Sequence, residues 1–352
     1  MLLFHNDYNE ICHPKVAQKL ADWSTKQMPG YGADECCKRA ADLIRELCGN
    51  DDLTVHFLVG GTQANLTVIN AALRPHQAAI GAVSAHINVH EAGAVEATGH
   101  KIITVESKDG KLTAEQVSDV VQSHYAEDEP EHMAQPKLVY ISNPTELGTT
   151  YSFAELQAIS AVCREYGLYL FLDGARLGYG LVTKTNDLSL SDLAQLCDVF
   201  YIGGTKVGAM FGEAVVISNP VIAKDFRYLI KQHGAMLAKG WILGLQFEAL
   251  FENDLYFSIS KYAVSLADQI RNTLSELGYP LFVEGDTNQI FPILPNGLLL
   301  KLKDKFTFIE QATVDSNHKA IRLCTSWSTS QESVDALCAE LRCLTERMEG
   351  ER

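Results

Sequence analysis

Apolar, β-branched runs alternate with helical segments along most of the chain, and this alternation limits the fold more than any other feature. The runs fall at 54–59, 79–83, 101–105, 137–141, 168–172, 199–202 and 214–217. Between them, 62–73, 113–124, 153–166 and 190–197 carry apolar residues at helical spacing. A strand that is apolar at consecutive positions is buried on both faces, which calls for a mostly parallel sheet with helical crossovers on either side. The expectation is an α/β fold with seven strands in one sheet between helices.

After Gly212 the pattern changes. Asn219-Pro220 opens a mostly helical section over 221–277, and Gly278-Tyr279-Pro280 breaks it. Beyond the break lie strand candidates at 281–284, 298–302 and 320–325 and a closing amphipathic helix over 331–348. This reads as a small C-terminal α/β domain beside the large one, divided as 1–250 and 251–352, with the true boundary inside the long helical section.

Composition removes several function classes. A net charge of −15 argues against nucleic acid or an anionic membrane surface as partner, while leaving room for a small anion in a local pocket. The nine cysteines form no CxxC pair or metal-ligand ladder, so they read as reduced thiols, Cys163 and Cys338 among them on helical core faces, and no metal is expected. The amino terminus lacks a basic segment followed by a long apolar one, and no run reaches membrane-spanning length, so a cytoplasmic protein is expected.

In such sheets ligands bind beyond the carboxyl ends of the strands. The polar residues there are Gly60-Gly61-Thr62, His86, Asn143, Asp173 with Arg176, and Gly203-Gly204-Thr205-Lys206. Gly60-Gly61-Thr62 opens a helix, where free N–H groups and the Thr62 hydroxyl can hold a phosphate; a plain turn is the simpler alternative. Asp173 leaves an apolar run, so it needs a cation nearby, either a ring nitrogen or Arg176 in a turn. Lys206, at a buried strand end, can lose its proton by desolvation and become nucleophilic enough for a Schiff base, although most lysines are solvated. His86 can stack on a ring or move a proton, and Arg322 offers a fork for a carboxylate or an ordinary ion pair.

Taken in order, Asn6-Asp7, Tyr31-Gly32-Ala33-Asp34, Gly60-Gly61-Thr62-Gln63-Ala64-Asn65, His86-Ile87, Glu91-Ala92-Gly93, Leu172-Asp173-Gly174-Ala175-Arg176, Lys206 and Arg322-Leu323 with Thr325-Ser326-Trp327 resemble the low-specificity threonine aldolases. These are β-eliminating lyases of fold-type I, dependent on pyridoxal 5'-phosphate. The resemblance spans nearly the whole chain. It implies that Lys206 anchors the cofactor with Thr205 beside it, Asp173 meets its ring nitrogen, Gly61 and Thr62 hold its phosphate and His86 stacks on it. It also implies that Arg176, Arg322 and Asn6 engage the substrate, and that the chain forms a homotetramer, a dimer of dimers, in which Tyr31 and residues of 231–239 reach a neighbour's site.

Three departures stand out. Asn6-Asp7-Tyr8 replaces the usual Ser-Asp-Thr, Glu146 stands where typical members carry a substrate-handling histidine, and Lys239 stands near a missing arginine. They leave the cofactor set intact and move the question to the substrate and the bond cleaved. The leading expectation is reversible cleavage of a β-hydroxy-α-amino acid of the L-threonine or L-allo-threonine type to glycine and an aldehyde, with Glu146, His86 or a water between them as base. Alternatives are another cofactor-dependent lyase, racemase or aminotransferase, a nicotinamide-dependent dehydrogenase (disfavoured by the missing GxGxxG), or a non-catalytic relative.

Overall fold

The structure, a computed structural model, describes residues 1–350. Its large sheet contains β2 (Thr54–Leu58), β3 (Gln77–Ala82), β4 (Lys101–Val105), β5 (Gln135–Ser142), β6 (Tyr169–Asp173), β7 (Val199–Gly203) and β8 (Glu213–Ile217), after a short β1 (Leu2–Leu3) that lies elsewhere. The seven strands take the order β2-β8-β7-β6-β5-β3-β4. Every pairing within it is parallel except those of β8, which runs antiparallel to both β2 and β7. The mostly parallel sheet expected from the sequence is therefore present, and the reason is visible in β3, which is parallel to both its neighbours and whose residues are all buried.

Local chemistry fixes the crossovers. Thr113, Ser152 and Ser189 each cap a helix with a reciprocal capping box, starting Ala114–Tyr125, Phe153–Tyr166 and Leu190–Leu196. Gly167, in the left-handed region at φ 64°, closes the second of these, as only glycine does without strain.

The helical section after β8 comprises Pro220–Ala223, Phe226–Gln232, Trp241–Phe251 and Leu255–Glu276. The last of these joins two cores: Leu255, Tyr256, Ala263 and Val264 pack with the large sheet, whereas Leu266, Ala267, Ile270 and Leu274 pack with a second core. That second core lies under β9 (Gln289–Ile290), β10 (Ile293–Pro295), β11 (Phe306–Thr307), β12 (Ile309–Thr313) and β13 (His318–Cys324), with the closing helix Gln331–Gly350. Two strand candidates fail here. Residues 298–302 form part of the helix Asn296–Leu302, because Leu298, Leu299 and Leu302 share one buried helical face while Leu300 is exposed. Of 281–284, only Leu281 pairs, in an isolated bridge to Pro292.

The amino terminus belongs with this second core. β1 pairs in parallel with β11, Phe4 is fully buried there, and the Phe4 carbonyl accepts from the Cys324 amide at 2.8 Å. The segment that follows is thereby led into the cleft between the two cores.

Candidate active site

Because β8 opposes its neighbours, its first residue lies at the same edge as their last ones. Glu213 pairs with Leu58 of β2 and Gly203 of β7, beside the end of β6 at Asp173. A cavity of about 300 Å³ opens at that edge. Gly61, Thr62, His86, Glu146, Asp173, Arg176, Thr205 and Lys206, all singled out from the sequence, line it together with Gly60, Tyr8 and Glu213. Asn6 and Arg322 are not among the lining residues.

Asp173 ends β6 fully inside the protein. Its Oδ2 accepts from Tyr140 Oη and from Asn65 Nδ2 (3.1 Å), and its Oδ1 from the Ala175 amide (2.9 Å). Burial alone would raise its pKa, but hydrogen bonds from Tyr140 and Tyr201 outweigh that and hold the carboxyl below the usual aspartate range. The site thus keeps a buried negative charge. Arg176 does not neutralise it, as the simple turn would require: its Nε and Nη2 donate instead to Asp7, at 2.7 and 3.0 Å.

Lys206 follows β7 across the turn Gly204-Thr205, where both amides donate to the Gly212 carbonyl and Thr205 Oγ1 accepts from the Gly212 amide at 2.9 Å. Burial, then the Arg176 charge, push the Lys206 ammonium below the ordinary lysine range against Asp7, Asp173 and Glu213. Glu146 is also displaced: burial and the Asp173 charge raise its carboxyl. Its Oε1 accepts from Ser142 Oγ (2.7 Å) and the His86 amide (3.2 Å). His86 Nδ1 in turn lies 2.8 Å from Glu91 Oε1, which also accepts from Asn65 Nδ2 at 2.7 Å. Asn65 therefore ties the His86–Glu91 pair to Asp173.

Gly60 caps the helix Gly61–Ala72, whose first N–H groups have no helical acceptor. A methyl group built on Gly60 would meet nothing within 4 Å, and one on Gly61 would sit 3.0 Å from the Tyr201 hydroxyl. The pocket is shaped by backbone there, as a phosphate requires. Pyridoxal phosphate fits the donor set: an ionised buried carboxylate for a pyridinium, an amine of lowered pKa for its aldehyde, and a helix start for its phosphate.

Arg322 comes from β13, outside the lining of the cavity. Its Nη2 donates to the His5 carbonyl at 3.2 Å, and its Nε is buried without a partner. Asn6 accepts through Oδ1 from the Tyr8 amide at 3.1 Å, while its neighbour Asp7 reaches the site. Tyr31 and part of 231–239 meet in a separate groove that also contains Asp34 and Arg227, with the Lys231 ammonium 5.3 Å from the Tyr31 ring.

Sequence reasoning gave no role to Asp7, Asn65, Glu91, Tyr140, Tyr201 or Glu213. For Asn65 and Glu91 a signal existed in polar residues among buried neighbours of motif segments. Tyr140 and Tyr201 each carry one polar atom at the end of an apolar side chain, which hydrophobic patterning does not report.

A family model described as β-eliminating lyase matches residues 23–296. A low-specificity L-threonine aldolase of Pseudomonas aeruginosa is 29% identical over 352 residues, covering 96% of each chain, and one of Pseudomonas sp. is 30% identical over 347 residues with the same coverage. Among solved structures, a threonine aldolase of Leishmania major superposes with TM-score 0.95 at 44% identity, covering 98% of this chain and 100% of that one. An aspartate aminotransferase of Thermus thermophilus superposes at 0.73 with 16% identity, covering 97% and 91%, which shows the shared fold alone.

Proposed function

The chain belongs to the β-eliminating lyase family, and on that premise we propose that it is a pyridoxal-phosphate-dependent aldolase cleaving a β-hydroxy-α-amino acid of the L-threonine type to glycine and an aldehyde. The observation that carries this reading is one cavity lined by Lys206, Asp173 and the helix start at Gly60-Gly61-Thr62.

In this reading Lys206 anchors the cofactor, Asp173 faces its ring nitrogen, Gly61 and Thr62 hold its phosphate, Thr205 steadies the lysine turn and His86 packs on the ring. Bound there, pyridoxal phosphate supplies an electron sink for the pair released at the substrate α-carbon. Arg322, with its unpartnered buried Nε, takes the substrate carboxylate, so that the Cα–Cβ bond is held in one orientation. Glu146 then acts as the base. Both of its recorded hydrogen bonds fall on Oε1, leaving Oε2 to accept the β-hydroxyl proton, and its raised pKa brings proton transfer nearer neutral pH. The His86 amide and Ser142 Oγ keep that carboxyl in place.

Product analysis tests the reaction: glycine plus an aldehyde supports the aldolase, whereas ammonia plus a keto acid assigns a sibling lyase. Lys206→Ala is expected to abolish the visible absorbance of the bound cofactor. Glu146→Gln should lower the cleavage rate by about 10²–10⁴-fold, the usual span for a general base; a rate within a few-fold of wild type removes Glu146 from that role.

We also infer a homo-oligomer, a dimer of dimers, acting on a small amino acid in the cytoplasm. Tyr31, half-exposed with φ 64°, together with Lys231, is the feature offered to a neighbour's site. Sedimentation equilibrium reads the assembly directly. No described helix is long and apolar enough to cross a membrane.

A further inference from the structure

Glu91 has no work in the proposed reaction, yet none of its side chain is exposed. Its Oε1 takes two contacts, from His86 Nδ1 at 2.8 Å and from Asn65 Nδ2 at 2.7 Å, while its Oε2 is buried without a partner. His86 lines the Lys206 cavity with a third of its side chain exposed. Its other ring nitrogen, Nε2, makes no hydrogen bond among the described residues. Ala92, next to Glu91, holds left-handed backbone at φ 51°, a conformation costly for any residue with a Cβ. The chain keeps that turn where it carries Glu91 inward.

The direction of these bonds can be read from one end. The ionised Asp173 can only accept, and its Oδ2 takes the Asn65 amide nitrogen at 3.1 Å. The Asn65 amide is thereby oriented, with its nitrogen toward Asp173 and Glu91 and its Oδ1 buried without a partner. Turned over, it would set its oxygen against both carboxyl groups. Its two N–H groups therefore go to two carboxyl oxygens, and Glu91 Oε1 is fixed as an acceptor. The ring nitrogen that meets Oε1 from the other side has to donate.

We propose that Glu91 is a positioning residue for His86, holding the neutral imidazole as the Nδ1–H tautomer so that Nε2 presents its lone pair to the cavity. In a histidine ring the hydrogen bond at one nitrogen decides what the other can do. A neutral His86 in this form accepts at Nε2 and has no proton to give there, whereas the opposite tautomer would donate. The substrate group that meets Nε2 is then a donor, a hydroxyl rather than a carboxylate. The choice of substrate group rests on the proposed function, but the tautomer is a property of the chain alone.

The long-range 1H–15N spectrum of the cofactor-free full chain tests it, with the His86 signal identified by its loss in His86→Gln. Once the ring is neutral, wild-type protein should show a protonated Nδ1 and a bare Nε2. Glu91→Leu removes the acceptor and should move the proton toward Nε2, the form that a solvated imidazole prefers. A proton on Nε2 in the wild type, meaning that the acid donates to the ring, overturns the proposal. So does a ring that stays protonated on both nitrogens across the pH range, or a tautomer unchanged in Glu91→Leu. The wild-type spectrum decides the first two even if E91L does not fold. Products other than glycine and an aldehyde would instead count against the proposed function and leave the tautomer result standing.

Discussion

Arg176 lines the cavity and Arg322 stands outside that lining on β13, and their guanidiniums are in different states. Arg176, just past β6, spends Nε and Nη2 on a two-point contact with Asp7, whose side chain is wholly out of solvent. Arg322, on β13, makes one bond to a carbonyl and keeps a buried Nε unused. A guanidinium closed by a buried carboxylate is a tie, strongly destabilising when one partner is removed. A buried N–H without an acceptor is rare in a folded protein and marks a site that a ligand can complete. The resemblance gives both arginines to the substrate; in the structure Arg322 keeps a buried Nε without a partner, whereas Arg176 is the post to which the amino-terminal segment is fastened.

The largest effect should come from cutting that tie. Asp7→Asn leaves the Arg176 charge buried and uncompensated, which costs about 3–5 kcal/mol in comparable pairs, measured by urea unfolding. The pH dependence has a definite sign. Burial would raise the Asp7 pKa, but the charges of Arg176 and Lys206 reverse this and hold it below the ordinary value. Its contribution is therefore complete above the unfolded aspartate value of about 3.9 and is lost as pH falls through the lower folded value. Asp7→Asn should flatten that acid limb. A variant as stable as wild type would mean that Arg176 is free for substrate, and the contrast between the two arginines would fail.

Next in size is Arg322→Lys, which keeps the charge and removes the planar fork. KM for the amino acid should rise about 10- to 100-fold, the equivalent of roughly 1.4–3 kcal/mol for a charge-assisted pair. Arg176→Lys should act mainly on stability, with a much smaller change in KM. Equal KM effects at the two positions would erase the distinction.

The same contrast explains what the sequence made legible. Continuous apolar runs identified all seven strands of the large sheet; burial on both faces explains this in β3, β7 and β8, whereas the edge strands β2 and β4 are only partly buried. Looking at the carboxyl ends of strands found Asp173 and Lys206, since β6 and β7 run with the majority. It could not find Glu213, which sits at the amino end of β8 and reaches the same edge only because that strand runs backwards. Asp7 was hidden for a topological reason: β1 is two residues long, and its partner β11 lies some 300 positions later, so nothing local predicts where it leads. Leu298–Leu302 misled for the opposite reason, a short apolar run whose period is too brief to separate helix from strand.

The smallest effect should come from Asn6, which the sequence placed at the substrate. In the structure its Oδ1 accepts from the Tyr8 amide, a local turn contact of the kind asparagine side chains commonly make. Its job in this geometry is to bend the chain after His5 so that Asp7 meets Arg176. Asn6→Ala removes one exposed, neutral hydrogen bond, worth about 0.5–1.5 kcal/mol. The expected outcome is a slight fall in the urea midpoint and a KM within about 2-fold of wild type, since the tie itself remains and an ordinary local contact contributes little to binding. The two readouts separate the possibilities: lost stability at constant KM keeps the amino-terminal segment as a fastening for Arg176. A KM increase matching that of Arg322→Lys would move Asn6 into the carboxylate site and turn the segment into a wall of the substrate pocket.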